Sequence, residues 1–232
     1  MNKSTVLIVD DDMDIREIIK LHLINENIEC IMATNGNEAL ERIQNNDIDL
    51  IVLDIMMPQL DGIQACLRIR KNNKIPIIMI SAKNEDSSKI LALNIGADDY
   101  VTKPFNPLEL VARIKAHIRR NNEFKEVVKK DKSEIKIYDL SIDLKSRDVY
   151  KGDEFIKVTP TEFDILKILA ENRGRTLTTA QIYEIVWNEP FINSKNTVAV
   201  HIRNIREKIE ITPKDSKYIK VVWGVGYKID KE

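Results

Sequence analysis

The first half of the chain alternates short apolar runs with longer stretches of mixed polarity. Four runs, at residues 6–9, 50–53, 77–80 and 100–101, have polar residues on both sides. Runs of this length predict buried strands, and the stretches between them are long enough for helices. This half is therefore predicted to be an α/β domain built from βαβ units, with parallel strands.

The second half of the chain has a different pattern, typical of a small α+β domain. Apolar and polar residues alternate over 135–144 and again near 149–158, which predicts a small antiparallel sheet. The chain closes with a predicted hairpin, whose strands at 218–223 and 227–229 are joined by a Gly-Val-Gly turn.

Between the sheet and the hairpin, polar residues suited to helix caps predict three helices. The caps are Thr159 with Glu162, Thr178 with Gln181, and either Asn193 or Ser194. The first two are capping boxes, in which a Thr hydroxyl and a Glu or Gln side chain satisfy backbone N–H groups at the helix start.

A strongly polar segment, NNEFKEVVKKDKSE, separates the two patterns and has little apolar periodicity. We interpret it as a tether. The predicted organisation is a first domain at 4–121, a linker at 122–133 and a second domain at 134–230.

Composition limits the class of protein. With 43% apolar and 31% charged residues, the chain can form real cores, and it has no apolar run near the ~20 residues of a membrane span. Cys30 and Cys66 have no paired or metal-like spacing, which favours small buried side chains in a reducing cytosol. A cytoplasmic protein without a membrane segment is therefore expected. The net charge of −1 neither requires nor excludes nucleic acid.

Chemically active residues follow the four apolar runs of the first half. They are Asp10-Asp11-Asp12, Asp54, Ser81 and Lys103. The carboxyl ends of parallel strands meet at one edge of a sheet, so these side chains are expected to converge. Crowded carboxylates suit Mg²⁺, whereas a Lys ammonium and a Ser hydroxyl suit phosphoryl oxygens. The pattern predicts phosphoryl transfer onto a carboxylate.

Each feature also has an ordinary structural explanation. A strand-end Asp often caps a helix, and Lys-Pro often forms a solvated turn. The occurrence of all four features at successive strand ends favours the functional interpretation.

The first domain resembles the receiver domain of response regulators, in the segments VLIVDDD (6–12), LIVLDIMMPQLDG (50–62), PIIMISA (76–82) and GADDYVTKPFNPLELVARI (96–114). The resemblance implies a doubly wound, five-stranded parallel sheet and a phosphoryl group accepted by Asp54 from a sensor histidine kinase. It also implies Mg²⁺ bound by Asp11 directly, by Asp10 largely through water, by Asp54 and by the Met56 carbonyl. Ser81 and Lys103 would contact the phosphoryl group, and Tyr100 would turn inward as a switch.

The third predicted helix of the second domain has two distinct faces at roughly 100° per residue. The apolar stripe is Val198, Ile202, Ile205 and Ile209. The residues expected to face away from it, and suited to reading base edges, are Thr197, Val200, Arg203 and Asn204. His201 and Arg206 flank that face, where phosphate contact is expected. On the wheel alone, an ordinary amphipathic helix with a solvated polar face is the favoured explanation.

The second domain is similar to the winged-helix DNA-binding domain of OmpR/PhoB-type regulators. The matching segments are TPTEFDILKILAENRG, LTTAQIYEIVW, NTVAVHIRNIREKI and VVWGVGYKI. The resemblance implies that the third helix enters the major groove of promoter DNA and that the hairpin, the wing, touches the minor groove. Many members carry Arg where this chain has Trp223. We expect either wing contact from Lys220 or Lys228, with Trp223 beside them, or a weaker wing contact.

Two further expectations follow from the resemblance. Phosphorylation should produce a homodimer through a charged face, with Lys89 pairing Glu109, Asp99 pairing Arg113, and Asp98 pairing Arg120 across the interface. The alternative is a set of solvated surface charges, worth ~0–1 kcal/mol a pair. RNA polymerase is an expected further partner.

Residues 197–208 and 222–229 look like those of the VanR regulators of glycopeptide resistance. This likeness implies control of antibiotic-resistance genes that remodel the cell wall, and control of another envelope or metabolite response is the alternative.

A different class, a Mg²⁺-dependent phosphohydrolase with Asp10 and Asp12 as its acidic pair, would need further acids at strand ends late in the chain, and the second half offers none. We therefore expect a transcription regulator that is not a turnover enzyme.

Overall fold

A computed structural model describes residues 3–82, 86–126, 134–191, 196–212 and 216–231. The chain divides into two compact units, Met1–Asn121 and Asn122–Glu232. Each unit has its own hydrophobic core.

The first unit is a five-stranded parallel sheet with helices on both faces. Its elements, in chain order, are β1 (Thr5–Val9), α1 (Met13–Asn25), β2 (Glu29–Ala33), α2 (Gly36–Asn45), β3 (Leu50–Asp54), α3 (Gly62–Asn72), β4 (Ile77–Ser81), α4 (Asp86–Asn94), β5 (Asp99–Thr102) and α5 (Pro107–Glu126). The strand order is β2-β1-β3-β4-β5. The predicted doubly wound parallel sheet is thus confirmed.

The apolar runs form strands because helices cover both faces of the sheet. Every residue of β3 and of β4 is buried, which is the pattern of a central parallel strand. Polar residues in the connections that follow the strands then start helices: Asn35 caps α2 and Asp61 caps α3 through their side-chain oxygens. The peptide bond between Lys103 and Pro104, after β5, is cis.

Helix α5 is longer than the sequence pattern predicted. It runs to Glu126, so the predicted linker at 122–133 begins as helix, and residues 127–133 lie outside the described residues. Residues 121–126 contain no Gly or Pro that would stop a helix, and the Lys and Glu among them favour one.

In the part of the second unit that the structure describes, there are two antiparallel sheets and three helices. Its elements are β6 (Glu134–Ile137), β7 (Leu140–Asp143), β8 (Asp148–Lys151), β9 (Glu154–Ile156), α6 (Pro160–Glu171), β10 (Leu177–Thr178), α7 (Thr179–Trp187), α8 (Thr197–Ile209), β11 (Ile219–Val222) and β12 (Gly226–Ile229). Strands β6 to β9 form one sheet, and β10, β12 and β11 form the other. We call β11, residues 223–225 and β12 the wing.

Both predicted capping boxes are present. Thr159 and Glu162 exchange hydrogen bonds at the start of α6, and Thr178 and Gln181 do so at the start of α7. Helix α8 differs, because its cap position is Asn196, which makes no side-chain capping bond. The predicted caps Asn193 and Ser194 lie outside the described residues.

Candidate functional site

Four predicted site residues lie at one edge of the parallel sheet. Asp10 follows β1, Asp54 ends β3, Ser81 ends β4 and Lys103 follows β5. These strands are neighbours, and the backbone N–H of Lys103 donates to the carbonyl oxygen of Ser81 at 2.7 Å. The shared edge places the four residues around one pocket.

Lys103 connects two of the carboxylates. Its Nζ lies 2.7 Å from Asp10 Oδ2 and 2.7 Å from Asp54 Oδ1. Burial alone would lower the pKa of Lys103, but the hydrogen bonds and charges of the two carboxylates outweigh it and raise that pKa. Lys103 is therefore a fixed positive charge in the pocket.

Asp54 is buried among these groups. Burial raises its pKa, and the nearby charge of Asp10 acts in the same direction, while the Lys103 ammonium opposes both. The second oxygen of Asp54 accepts the backbone N–H of Met56 at 2.7 Å, so the carboxylate plane is fixed. A Cβ on Gly62 would lie only 2.0 Å from the Asp54 carbonyl oxygen, so the backbone close to the site requires glycine.

The predicted acidic cluster is present in part. Ligand oxygens of Asp10, Asp11 and Asp54 lie within 4.8 Å of one another. Asp12 is instead the N-cap of α1, where its side chain accepts the N–H of Asp14. Carboxylate oxygens are the donors Mg²⁺ prefers, and receiver domains generally bind Mg²⁺ at such a cluster, so the residues present fit this ion.

Tyr100 and Arg16 lie close to these strand ends. Tyr100, the predicted switch, lies on β5 and is buried. Arg16 was not predicted as a site residue, yet its Nη1 donates to the carbonyl oxygen of Asp10 at 2.5 Å. The available sequence signal was its position on α1 one turn after Asp12, which directs a long side chain back towards the strand end.

The structure contradicts part of the predicted dimer face. Asp98 is 0% exposed and is bound within the same chain, by Arg70 at 2.7 Å and by the backbone N–H of Ile77 at 2.9 Å. The predicted exposure of Asp98 on this face is therefore wrong, because Arg70 from α3 reaches across to neutralise it. The pairing of Asp98 with Arg120 across a dimer interface stays a prediction.

The other charges predicted on that face also have partners in their own chain. Arg113 binds Asp99 at 2.9 Å and Glu109 at 2.9 Å, so both acids lie beside it. Arg120 Nη2 lies 2.7 Å from Nδ1 of the buried His117. Lys89, on α4, is half-buried.

His117 is a titratable group that the sequence pattern did not reveal. Arg120 can only donate to Nδ1, so the neutral ring carries its hydrogen on Nε2, which lies 3.8 Å from Asp99. Burial, followed by the charge of Arg120, lowers the pKa of His117. Burial would raise the pKa of Asp99, but Arg113 and His117 together hold it well below its usual range.

In the second unit, the predicted apolar stripe of α8 is confirmed, but the predicted polar face is largely wrong. Val198, Ile202, Ile205 and Ile209 are all in the core. Four residues predicted to face the duplex are also buried: Thr197, Val200, His201 and Asn204. Helix α8 packs against α6 and α7 on more than one side, so a single-stripe wheel underestimates its buried surface.

The exposed face of α8 is narrower than predicted. It carries Ala199, Arg203 and Glu207, with Arg206 half-buried beside them. Arg203 is paired with Glu207 at 2.7 Å. His201 instead lies inside the domain, with its ring centroid 5.7 Å from that of Trp187.

The wing presents an aromatic side chain and two lysines. Trp223 is 90% exposed beside the turn, where Gly224 has a φ of +73°. Lys220 and Lys228 are directly opposite each other on β11 and β12. Lys220 binds the carbonyl of Ser216, and Lys228 binds Asp230 at 2.7 Å. Like charges at a cross-strand pair are unfavourable by themselves, and a polyanion beside them would relieve that cost.

Among the described residues, no helix is both long enough and apolar enough to cross a membrane.

The two units define a class of protein: a phosphorylatable response regulator with a DNA-binding domain, which regulates transcription. Residues 6–115 match the response regulator receiver domain family, and residues 152–229 match the family described as transcriptional regulatory protein, C terminal. The chain belongs to the response regulators of the OmpR/PhoB type.

Related proteins align with this chain over nearly its whole length. The chain is 44% identical to the regulatory protein VanR of Enterococcus faecium over 97% of this chain and 98% of that protein. It is 40% identical to the alkaline phosphatase synthesis transcriptional regulatory protein PhoP of Bacillus subtilis, over 100% of this chain and 98% of that protein. The crystal structure of DrrB, a Thermotoga maritima OmpR/PhoB homologue, aligns with a TM-score of 0.53 and 31% identity, covering 99% of this chain and all of DrrB.

Proposed function

We propose that this regulator accepts a phosphoryl group on Asp54 from a cognate sensor histidine kinase and then binds promoter DNA as a dimer. The observation that carries the proposal is the buried pocket in which Lys103 contacts both Asp10 and Asp54. Phosphoryl transfer to a carboxylate depends mainly on positioning and charge neutralisation, and these are what the pocket residues can supply.

Each pocket residue has a proposed part in the transfer. An Asp54 oxygen forms the new bond to phosphorus as the bond from phosphorus to the kinase imidazole breaks. The Lys103 ammonium and the Ser81 hydroxyl bind phosphoryl oxygens, and Tyr100 acts as the switch that senses them. Asp10, Asp11, Asp54 and the Met56 carbonyl would hold Mg²⁺, which neutralises charge on the phosphoryl oxygens when bound.

Two elements of the second unit, α8 and the wing, are proposed to contact the duplex. Arg203 and Arg206 lie on the accessible part of α8, where a guanidinium can reach base edges or phosphates. Trp223, Lys220 and Lys228 lie on the wing. Dimerisation through the α4, β5 and α5 face would bring two such units to adjacent half-sites and raise their effective concentration. RNA polymerase is the proposed downstream partner. The regulator is proposed to act in the cytoplasm, where promoter DNA lies.

The regulated genes are proposed to be those of glycopeptide resistance. The support is the 44% identity to VanR of Enterococcus faecium. The same chain is 40% identical to PhoP of Bacillus subtilis, which is named for alkaline phosphatase synthesis, so a different envelope or metabolite response is the second candidate.

A protein that turns over phosphate esters is the alternative class. The relatives are named as regulatory proteins, which favours a phosphoryl acceptor over a phosphohydrolase.

Incubating the chain with Mg²⁺ and acetyl phosphate should give one phosphoryl adduct by intact-mass measurement. The adduct should be absent in Asp54→Ala and present in Asp47→Ala, an exposed carboxylate that serves as the control. Steady hydrolysis of a generic phosphate ester would overturn the proposal.

A further inference from the structure

The residue that directly follows α8 links this helix to the wing. Glu210 is the C-cap of α8, and its side chain is buried. Its carboxylate accepts three successive backbone N–H groups: Oε2 from Lys217 at 2.8 Å, and Oε1 from Tyr218 and Ile219, each at 3.1 Å. Ile219 is the first residue of the wing, and Lys217 and Tyr218 lead directly into it.

The helix end of this connection is firmly held. The backbone N–H of Glu210 donates to the Arg206 carbonyl at 2.9 Å, and Lys151 Nζ donates to the Ile209 carbonyl at 2.7 Å. Two residues before Glu210, Lys208 Nζ lies 2.5 Å from Glu162 at the start of α6. The Glu210 carboxylate is therefore carried on a rigid element.

The wing end is equally defined. A carboxylate that accepts several backbone N–H groups makes charge-assisted bonds that fix both distance and direction. Next to it, the Arg206 side chain binds the Ser216 hydroxyl, and Lys220 binds the Ser216 carbonyl. The segment that leads into the wing is thus bound by Arg206 of α8 and by Glu210 at its C-cap, and Glu210 alone accepts three of these bonds.

We propose that Glu210 is a positioning residue for DNA recognition: its carboxylate sets the geometry between α8 and the wing, so that Arg203 and Lys220 reach the duplex at the same time. The inference rests on the proposed DNA-binding function and adds a residue that does not itself touch DNA. A purely structural role, in which Glu210 only stabilises the fold, makes different predictions.

The decisive variant is Glu210→Gln in the full-length chain. The amide has nearly the same shape, but one of its two polar atoms is a donor, which would face a backbone N–H instead of accepting from it. Asp164→Asn is the matched control. Asp164 and Glu210 are each 8% exposed. Asp164 lies on α6, away from the wing, and its carboxylate binds Arg147 of the same unit at 2.8 Å. Both variants remove one negative charge.

The probe is a duplex recovered from a random pool by repeated selection with the wild-type chain treated with Mg²⁺ and acetyl phosphate. Affinity is measured at several salt concentrations, well below the melting temperature of every variant. Glu210→Gln should bind about tenfold more weakly, and the slope of log affinity against log salt should fall by about one for each phosphate that the wing no longer reaches. Asp164→Asn should keep the wild-type slope.

A second comparison separates positioning from stability. Lys220→Ala should weaken binding less in the Glu210→Gln background than in the wild-type background, because the wing is already displaced there. An unchanged slope and an unchanged effect of Lys220→Ala would overturn the inference. Glu210→Asp, which keeps the charge but is one methylene shorter, should show the same weakening and carries the test if Glu210→Gln does not fold. No duplex binding by the wild-type chain would overturn the proposed function, and the inference with it.

Discussion

The Nζ atom of Lys103 lies 2.7 Å from Oδ1 of Asp54. The same ammonium lies 2.7 Å from Asp10, which belongs to the carboxylate cluster suited to a divalent ion. A divalent ion bound by this cluster would share oxygens with Lys103, so its binding would have to offset the loss of these ion pairs.

Replacing Lys103 by Met should therefore tighten Mg²⁺ binding by roughly tenfold, because Asp10 and Asp54 lose the cation that neutralises them. The same variant should accept phosphoryl groups from acetyl phosphate more slowly, since the positive charge beside the phosphoryl oxygens is removed. Isothermal titration with Mg²⁺ and intact-mass time courses measure the two effects.

Lys3→Met is the control for net charge, since Lys3 precedes β1 at the opposite edge of the sheet. It should leave both quantities unchanged. A Lys103→Met variant with unchanged or weaker Mg²⁺ affinity would show that the ammonium does not compete with the metal.

The buried His117 predicts a pH dependence of receiver stability. Its pKa in the folded chain is below the ordinary value of 6.5, so between those two values the unfolded state binds more protons. Stability therefore falls as pH decreases from about 6.5 towards the folded-state pKa. The charged groups near the ring are Asp99, Asp98 and Arg120.

Hydrogen exchange of β4 and β5, corrected for intrinsic rates, should show more opening at about pH 5.5 than at about pH 7. His117→Gln has no ionisable ring and should reduce this difference. An equal pH dependence in the variant would assign the effect to another group.

The narrow exposed face of α8 predicts opposite results for two adjacent residues. Arg203→Ala should weaken specific duplex binding by about 1–3 kcal/mol with little change in stability, because the side chain is exposed. Asn204→Ala should lower the free energy of unfolding by about 1–2 kcal/mol, because the side chain is buried.

Fluorescence of Trp187 and Trp223, the two tryptophans of the chain, follows unfolding of the second unit. Arg203→Lys is the matched control and should retain phosphate attraction while losing bidentate recognition. If Asn204→Ala instead changed sequence preference at wild-type stability, the assignment of Asn204 to the interior would be wrong.

The dimer face predicts a charge-reversal pair. Lys89→Glu and Glu109→Lys should each weaken the dimer formed with acetyl phosphate, and the two together should restore it if these residues meet across the interface. Sedimentation velocity measures the populations. Failure of the double variant to recover would remove this pair from the proposed interface.

Most of the fold could be predicted because local patterns and tertiary structure agree. The central strands β3 and β4 are fully buried on both faces, so an uninterrupted apolar run marks them. The two capping boxes similarly mark helix starts from a handful of residues. The end of α5 was missed because residues 121–126 are polar yet compatible with a helix.

The pocket could also be predicted, since strand ends in a parallel sheet must meet at one edge. The burial of Asn204 and of Asp98 could not. Asn204 is buried because α8 packs against both α6 and α7, and Asp98 is buried because Arg70, distant in sequence, binds it. No periodicity of one segment reports such a partner.

The most direct test of the account is duplex binding by the full-length chain with and without acetyl phosphate, in the presence of Mg²⁺, for the wild type and Asp54→Ala. A specific complex that tightens with the phosphodonor in the wild type, and does not tighten in Asp54→Ala, is the predicted result. Equal tightening in both chains, or none in the wild type, would contradict a switch that operates through Asp54.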